Sequence, residues 1–260
     1  MELYAEVAGE GQPVVLVHAG ICDSRMWDPQ WETFPRSHRV LRYDLRGFGR
    51  SPLEAGSYSH AQDLIRLIES NGLAPASLVA VSLGGRVALE TAVARPELVD
   101  VLVLVGSGLP GHDWSDEMEA TWAEEEAAFE AGDLDTAVEI NLRVWVDGPN
   151  RRPEDVDPAV RSAVAEMQRR AFELQLPFEE TADEELLVPD LADRLPEIAA
   201  PTLAVVGEED VPDMQAIGDR LAAEIPGATR AAIANAAHVP NLERPAEFDE
   251  LVLPFLDSVR

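Results

Sequence analysis

The sequence contains serine, histidine and carboxylate side chains at positions where they could form a site for nucleophilic catalysis. Ser82 stands between the apolar run 78–81 and a helix-favouring stretch that starts at Leu83. A serine hydroxyl becomes a strong nucleophile only when a base takes its proton and a further group orients that base. The candidate bases are the five histidines: His18, His38, His60, His112 and His238. The alternative for Ser82 is that it only caps the following helix, as serine often does.

The first part of the chain alternates between strand-like and helix-like segments. Short apolar runs predict strands, and longer stretches with apolar residues at helical spacing predict helices. The predicted strands are residues 13–17, 40–43, 77–81 and 99–105, and the predicted helices are residues 60–73 and 83–94. This alternation predicts an α/β fold with a mostly parallel central sheet and helices on both faces.

From about residue 109 the pattern changes to helices only. Three helices are predicted, at residues 115–131, 134–146 and 158–176, with glycine and proline breakers between them. Strand and helix then alternate again, through residues 201–206, 213–224, 229–233 and 245–256. We therefore predict a core made of residues 1–108 and 195–260, and a helical lid made of residues 109–194.

Four segments resemble signatures of the α/β-hydrolase superfamily. Residues 80–84 are similar to its nucleophile elbow G-x-S-x-G, with alanine at the first position. Residues 18–20 look like its H-G-x turn, residues 44–51 match D-x-R-G-x-G-x-S, and residues 238–245 match H-x-x-x-x-E-x-P. The segments follow the family's order along nearly the whole chain. The resemblance implies an α/β-hydrolase fold with a lid and no metal or organic cofactor.

The resemblance also implies roles for individual residues. Ser82 corresponds to the nucleophile, His238 to the base, and Asp210, in the loop after a predicted strand, to the acid that orients the base. Other carboxylates of the same region compete for that last role: Glu208, Glu209 and Asp213. The loop after Val105 contains no carboxylate and offers no alternative acid.

Two backbone N–H groups are expected to form an oxyanion hole. By resemblance they belong to Leu83, which follows the nucleophile, and to Gly20 in the H-G-x turn, where Ala19 replaces the glycine. His18 is then expected to hold this turn and not to act as a base. Asp44 and Arg46 are expected to fix their own loop by pairing.

Three apolar side chains are predicted to bind substrate. Met26, Trp27 and Trp145 could line an apolar pocket, although aromatic residues are often simply part of the core. Residues 26–30 and 237–243 are similar to segments of the 3-oxoadipate enol-lactonase branch of the superfamily.

The resemblance implies a serine hydrolase that cleaves carboxylic esters or lactones of small molecules through an acyl-enzyme. Serine at the elbow argues against the haloalkane dehalogenase and epoxide hydrolase branches, which use aspartate there. Enol-lactone hydrolysis, carbon–carbon bond hydrolysis and perhydrolysis on the same residues remain alternatives. A ligand receptor that turns over slowly or not at all is an alternative of another class.

Composition excludes several other chemistries. The 20 cationic residues are all arginine, so lysine-dependent mechanisms such as a Schiff base or a P-loop are excluded. The single cysteine, Cys22, cannot form an intrachain disulfide or a multi-cysteine zinc site. Nothing in the sequence requires an oxidising compartment.

The net charge of −29 restricts the partners. Eleven acidic residues and no arginine fall between Asp113 and Leu142, so nucleic acid and anionic membranes are not expected to bind. We expect small neutral or weakly charged substrates, although Arg25 or Arg143 could pair with a carboxylate. A monomer or homodimer is expected. The sequence contains no membrane-length apolar run and no signal-peptide pattern at its start, which favours a cytoplasmic address.

Overall fold

The computed structural model describes residues 2–258 and contains one large sheet and one small one. The strands are Ala5–Ala8 (β1), Gln12–Val17 (β2), His38–Tyr43 (β3), Gly56–Tyr58 (β4), Ala76–Val81 (β5), Val99–Val105 (β6), Ala182–Glu184 (β7), Thr202–Gly207 (β8) and Thr229–Ile233 (β9). In the seven-stranded sheet they lie in the order β1-β3-β2-β5-β6-β8-β9, and β4 and β7 form a separate pair. Among the strands of residues 2–258, only β1 runs antiparallel to its neighbour, β3.

Helices flank the large sheet and fill the chain between β6 and β8. They are Asp28–Thr33 (α1), His60–Ser70 (α2), Leu83–Ala94 (α3), Asp116–Glu130 (α4), Leu134–Asn141 (α5), Pro158–Gln175 (α6), Leu191–Arg194 (α7), Pro212–Glu224 (α8), Pro240–Glu243 (α9) and Pro245–Ser258 (α10). A π-helical segment, Leu142–Asp147, continues directly from α5. In the core, α2 packs against α3 and α1 packs against α10.

Burial explains why the central strands were visible in the sequence. All six residues of β5 are buried, and five of the six in β3 and six of the seven in β6 are buried as well. Parallel strands covered on both faces need apolar side chains at consecutive positions, so they read as continuous aliphatic runs. The predicted mostly parallel α/β fold is confirmed.

The structure adds elements that the sequence pattern did not predict. Strands β1, β4 and β7 are short and partly exposed, and α1 is only six residues long. The pairing of β4 with β7 joins residues 56–58 to residues 182–184, far along the chain. Such short elements carry little periodic signal and depend on their tertiary partners.

The predicted helix 134–146 also differs from what forms. The α-helix ends at Asn141, and the next six residues take the wider π-helical geometry up to Asp147. The neighbouring helices match their predicted ranges to within a few residues. Since π turns arise at isolated insertions in a helix, apolar spacing does not reveal them.

Candidate active site

The candidate residues follow neighbouring strands at one edge of the large sheet. Ser82 follows β5, Gly106 follows β6, and Asp210 and His238 come after β8 and β9. These four strands are parallel and adjacent, so their carboxyl ends lie at the same edge. This is where ligands bind in open α/β sheets.

Ser82 has a strained backbone at the junction of β5 and α3. Its φ of 55° and ψ of −115° lie in a region that residues with a Cβ rarely adopt. The side chain makes no capping hydrogen bond to α3, so the helix-cap alternative is wrong for this structure. Instead the backbone N–H of Ser82 donates to the Val105 carbonyl at 2.9 Å, which ties the junction to the end of β6.

Small neighbours allow this junction to form. A Cβ on Gly84 would lie 2.5 Å from the carbonyl oxygen of Val17. A Cβ on Gly85 would overlap the hydroxyl of Ser107. The helix that begins after Ser82 therefore approaches the ends of β2 and β6 more closely than any larger residue would permit.

His238 and Asp210 form a buried pair. Nδ1 of His238 lies 2.8 Å from Oδ2 of Asp210, and the two side chains are 1% and 0% exposed. The other carboxylate oxygen, Oδ1, accepts the backbone N–H of Val211 at 2.9 Å. With both carboxylate oxygens engaged, the orientation of the imidazole is fixed by a carboxylate that is itself held in place.

Ser82 and the buried pair both lie against the loop that follows β6. The Gly108 N–H donates to the Ser82 carbonyl at 3.0 Å, and a Cβ on Gly106 would lie 2.9 Å from Nδ1 of His238. Nε2 of His238 is buried and has no hydrogen-bond partner among residues 2–258, Ser82 included. Nε2 is thus the ring nitrogen that is not bound to Asp210.

The other acids that could have oriented His238 have different surroundings from Asp210. Asp213 accepts the Ser115 hydroxyl at 2.8 Å and the Ser115 N–H at 3.0 Å, and it lies 3.2 Å from Nε2 of His112. Glu208 is exposed and Glu209 is partly exposed. Among these acids, Asp210 alone contacts the His238 ring in the described part of the chain.

Gly20 and Leu83, the two residues expected to form an oxyanion hole, lie next to each other. A Cβ on Gly20 would be 3.5 Å from the side chain of Leu83. Leu83 is the first residue of α3, where backbone N–H groups lack acceptors within the helix. The Gly20 N–H likewise has no acceptor among residues 2–258.

His18 holds the turn that carries Gly20. Its Nε2 accepts the backbone N–H of Leu45 at 2.8 Å, so Nδ1 carries the proton and donates to the Ala19 carbonyl at 2.8 Å. Burial lowers the pKa of this fully enclosed imidazole. These contacts agree with the structural role expected for His18.

The loop of residues 44–51 is fixed differently from the expectation. Asp44 accepts the backbone N–H groups of Ser24 and Arg50, each at 2.8 Å. Arg46 pairs with Asp63 of α2 at 2.9 Å and not with Asp44. Because Asp63 comes from a helix later in the chain, local spacing did not identify it.

The three residues predicted to bind substrate differ in position. Met26 and Trp27 have no exposed surface, and both belong to the hydrophobic core. The Met26 sulfur contacts the Ala19 N–H, and the Trp27 ring packs on Phe248. Trp145 is 9% exposed and lies against His238, with ring centroids 4.5 Å apart. Trp145 therefore contacts a candidate catalytic side chain.

Two further positions near the site were not singled out from the sequence. Gly106 has a φ of 45°, and a side chain there would press on both His238 and Asp210. Arg151 donates to the Glu243 carboxylate at 2.7 Å, and Glu243 accepts the backbone N–H of Ala237, next to His238. The glutamate of H-x-x-x-x-E-x-P was a visible signal for the second contact, whereas Gly106 had none.

A cavity of about 370 Å³ lies between the π-helical segment Leu142–Asp147 and α8. Val144 and Val211, which precede Trp145 and follow Asp210, are among its lining residues. Arg143 also lines it and makes no ion pair with any of residues 2–258. Arg25, by contrast, is paired with Asp23 and Glu166.

Two other kinds of site are absent from residues 2–258. These residues contain no cluster of three or more histidine, cysteine or acidic side chains suited to a metal ion. None of their helices is both long enough and apolar enough to cross a membrane.

Several known proteins are similar to this chain over nearly its whole length. A protein of Azorhizobium caulinodans named as a carbamate hydrolase, RutD, is 28% identical, with 99% of this chain and 96% of the relative covered. The pimeloyl-[acyl-carrier protein] methyl ester esterase of Nitrosospira multiformis is 28% identical, with 98% of each chain covered. The structure of Est816, described as an N-acyl homoserine lactone degrading enzyme, matches with a TM-score of 0.79 and 28% identity over 97% of this chain and 96% of that one. The profile of the alpha/beta hydrolase family matches residues 14–251, and the chain belongs to that family.

Proposed function

We propose that this protein hydrolyses carboxylic esters or lactones of small molecules, with Ser82, His238 and Asp210 as its catalytic triad. The observation that carries the proposal is the strained backbone of Ser82 beside a buried His238–Asp210 pair. Strain of this kind is retained where a precise side-chain position matters. Membership of the alpha/beta hydrolase family and the ester, carbamate and lactone activities named for its relatives support the same reaction class.

In the first half of the reaction, Nε2 of His238 takes the proton of the Ser82 hydroxyl. The serine oxygen attacks the carbonyl carbon, and the bond to the leaving alcohol then breaks as His238 gives the proton to that oxygen. Asp210 holds Nδ1 and stabilises the imidazolium between these two proton transfers.

In the second half, water replaces the alcohol. His238 takes a proton from water, the hydroxide oxygen attacks the acyl carbon, and the proton returns to Ser82 as the acid leaves. The N–H groups of Gly20 and Leu83 stabilise the negative oxygen of both tetrahedral intermediates. Each such donor typically contributes a factor of about 100 to 1,000 in rate.

We propose that residues 109–194 act as the lid over this site. The segment contains α4, α5 and α6, and its π-helical end contacts His238 through Trp145. Helix α6 contacts the turn beside Gly20, because the Met167 sulfur accepts the Asp23 N–H at 3.5 Å. A segment with both contacts can exclude water from the reacting atoms.

Small neutral or weakly charged substrates suit this lid best. Carboxylates of α4 and its neighbours line the cavity beside the site, namely Glu117, Glu124 and Asp213. They repel an anionic substrate, and Arg143 is the cation that opposes them there. Faster turnover of a dicarboxylate than of its neutral diester would contradict this substrate class.

The test is a panel of p-nitrophenyl acyl esters, lactones and aryl carbamates, measured with the native protein and with Ser82→Ala. We expect turnover of esters or lactones that the variant loses, and labelling of Ser82 by a fluorophosphonate. Thr121→Ala, which removes a hydroxyl from the lid cavity, is a control that should keep the nucleophile reactive.

Each other outcome has its own meaning. Turnover confined to carbamates would replace the substrate class and keep the triad. A stoichiometric burst with a stable adduct at Ser82 would favour a receptor. Neither turnover nor labelling would overturn the triad itself.

A further inference from the structure

Trp145 contacts His238 in two independent ways. The backbone N–H of His238 donates to the carbonyl oxygen of Trp145 at 3.1 Å. The indole ring also lies against the imidazole, with centroids 4.5 Å apart and planes inclined by 39°. One residue of the helical segment therefore contacts both the main chain and the side chain of His238.

We propose that Trp145 is a positioning residue that holds the His238 imidazole against its indole face and stabilises the imidazolium formed during catalysis. The inference rests on the proposed function of His238. An aromatic face carries negative charge density and attracts a cation within about 6 Å, most strongly when the ring is tryptophan. The contact is thus stronger when the imidazole is protonated than when it is neutral.

The π-helical segment brings the indole to this position. Trp145 lies in the middle of Leu142–Asp147, where the wide turn interrupts the regular spacing of α5. Isolated π turns are frequent at functional sites because they redirect side chains. The burial of Trp145, at 9% exposure, leaves little of its surface for a substrate.

The residues that follow Trp145 are held firmly. Arg151 donates to the carbonyl oxygens of Val146 and Asp147 at 2.7 and 2.8 Å. The Asp147 carboxylate, 2% exposed, pairs with Arg161 of α6 at 3.0 Å. Gly148, with a φ of 74°, lies so close to the Glu209 carbonyl that any Cβ would overlap it. The backbone that follows Trp145 is therefore fixed by several contacts.

Arg151 also joins the segment that carries Trp145 to the loop that carries His238. Its guanidinium binds the Glu243 carboxylate at 2.7 Å, and that carboxylate accepts the Ala237 N–H at 2.7 Å. The two segments that carry the two rings are thus connected through Arg151 and Glu243. This connection ties the backbone next to the indole to the backbone next to the imidazole.

Several charged groups near His238 are paired with residues other than Trp145. Asp210 binds the ring, Glu243 is paired with Arg151, and Asp147 is paired with Arg161. Glu209 lies in the Asp210 loop, and Arg143 lines the neighbouring cavity. Two apolar substitutions of Trp145 therefore differ from each other only in the side chain at position 145.

The experiment compares Trp145→Phe with Trp145→Leu. Both variants keep an apolar side chain and the backbone carbonyl that binds His238, but only phenylalanine keeps an aromatic face. The protonation of His238 is followed by NMR in protein labelled with ¹⁵N-histidine, and His238→Gln assigns its signal among the five histidines. Circular dichroism verifies that each variant is folded.

We expect the titration midpoint of His238 to be lower in Trp145→Leu than in Trp145→Phe, by about half a pH unit to one unit. The native protein should have the highest midpoint of the three. Equal midpoints in the two variants would overturn the proposal, and so would a native His238 that stays neutral between about pH 4 and 9.

Activity supplies a second measurement. The acidic inflection of kcat/KM should move to lower pH in Trp145→Leu, and kcat should fall by about 3-fold to 30-fold while KM changes little. A native protein without turnover or Ser82 labelling would contradict the proposed function, and the NMR comparison would still decide the role of the ring. Equal activity profiles of the two variants, in an enzyme that does turn over, would reject the inference alone.

Discussion

The carboxylate of Asp210 and the imidazole of His238 lie 2.8 Å apart and are almost completely enclosed. Asp210→Asn keeps the shape of this pair but presents an amide to Nδ1, which favours the wrong tautomer of His238. We expect kcat for a p-nitrophenyl ester to fall by about 1,000-fold to 10,000-fold. Glu208→Gln, in the same loop but exposed, should retain nearly native kcat. Comparable losses in the two variants would point to loop damage.

The strained backbone of Ser82 predicts that glycine at this position relieves the strain and stabilises the fold, although it removes the nucleophile. Glycine adopts a φ of 55° with ψ of −115° without a Cβ penalty, whereas alanine keeps that penalty. Ser82→Gly and Ser82→Ala should both be inactive, and the glycine variant should be the more stable by about 1 kcal/mol. Urea unfolding measures the difference. A glycine variant less stable than the alanine variant would argue against strain at this junction.

Gly106 should be intolerant of a side chain for a reason beyond its positive φ. A Cβ there would lie 2.9 Å from Nδ1 of His238 and 3.2 Å from Oδ2 of Asp210. We expect Gly106→Ala to lower kcat by at least about 10-fold, because it displaces the pair. Gly132→Ala is the matched control, since Gly132 has a φ of 72° and a Cβ added there would meet nothing within 4 Å. Equal effects on kcat would mean that backbone strain alone is responsible.

The contacts of Asp213 predict that its carboxylate contributes to the free energy of unfolding in a pH-dependent way. Burial raises the pKa of its carboxyl, but hydrogen bonds from Ser115 and contact with His112 outweigh burial and lower the pKa. The contribution is present above the unfolded-state pKa of about 3.9 and is lost as pH falls through the lower folded value. Asp213→Asn should therefore cost about 1–3 kcal/mol at neutral pH and less in acid.

The control for this prediction is Asp219→Asn. Asp219 is 71% exposed and pairs with Arg230, so its loss should cost less than about 1 kcal/mol. Guanidinium unfolding of each variant from neutral to acidic pH measures both effects. A cost for Asp213→Asn that stayed constant across that range would exclude an ionised-carboxylate contribution.

The burial of Trp27 predicts an effect on stability without an effect on selectivity. Trp27 is 0% exposed and packs on Phe248 of α10. Trp27→Leu should lower the free energy of unfolding by about 2–4 kcal/mol and leave the acyl chain-length profile unchanged. An altered profile in a folded variant would restore the substrate-binding role that the sequence predicted.

The local sequence pattern was sufficient to predict the main helices and strands and the order of the candidate catalytic residues along the chain. The aliphatic run 99–105 and the helix from Leu83 to Ala94 formed with the predicted bounds. Ser82, Asp210 and His238 each lie just after a strand that was predicted, which is why their positions could be inferred. Their catalytic roles remain predictions until activity is measured.

Contacts between distant segments could not be predicted in the same way. The partner of Arg46 is Asp63, the indole of Trp145 lies on His238, and strand β4 pairs with β7. Each contact depends on how two separately formed elements approach each other. Apolar Met26 and Trp27 illustrate the same point, because composition alone does not distinguish a pocket wall from the core.

The sequence by itself determined the mostly parallel sheet, the helical segment between its halves and the order of serine, aspartate and histidine along the chain. These features follow from periodicity, breakers and residue types, which act over a few neighbouring residues. Only the tertiary structure decided that Gly106 leaves space for the His238–Asp210 pair and that Trp145 contacts the imidazole. The physical reason is that close packing selects partners by shape and distance in space, which separation along the chain does not encode.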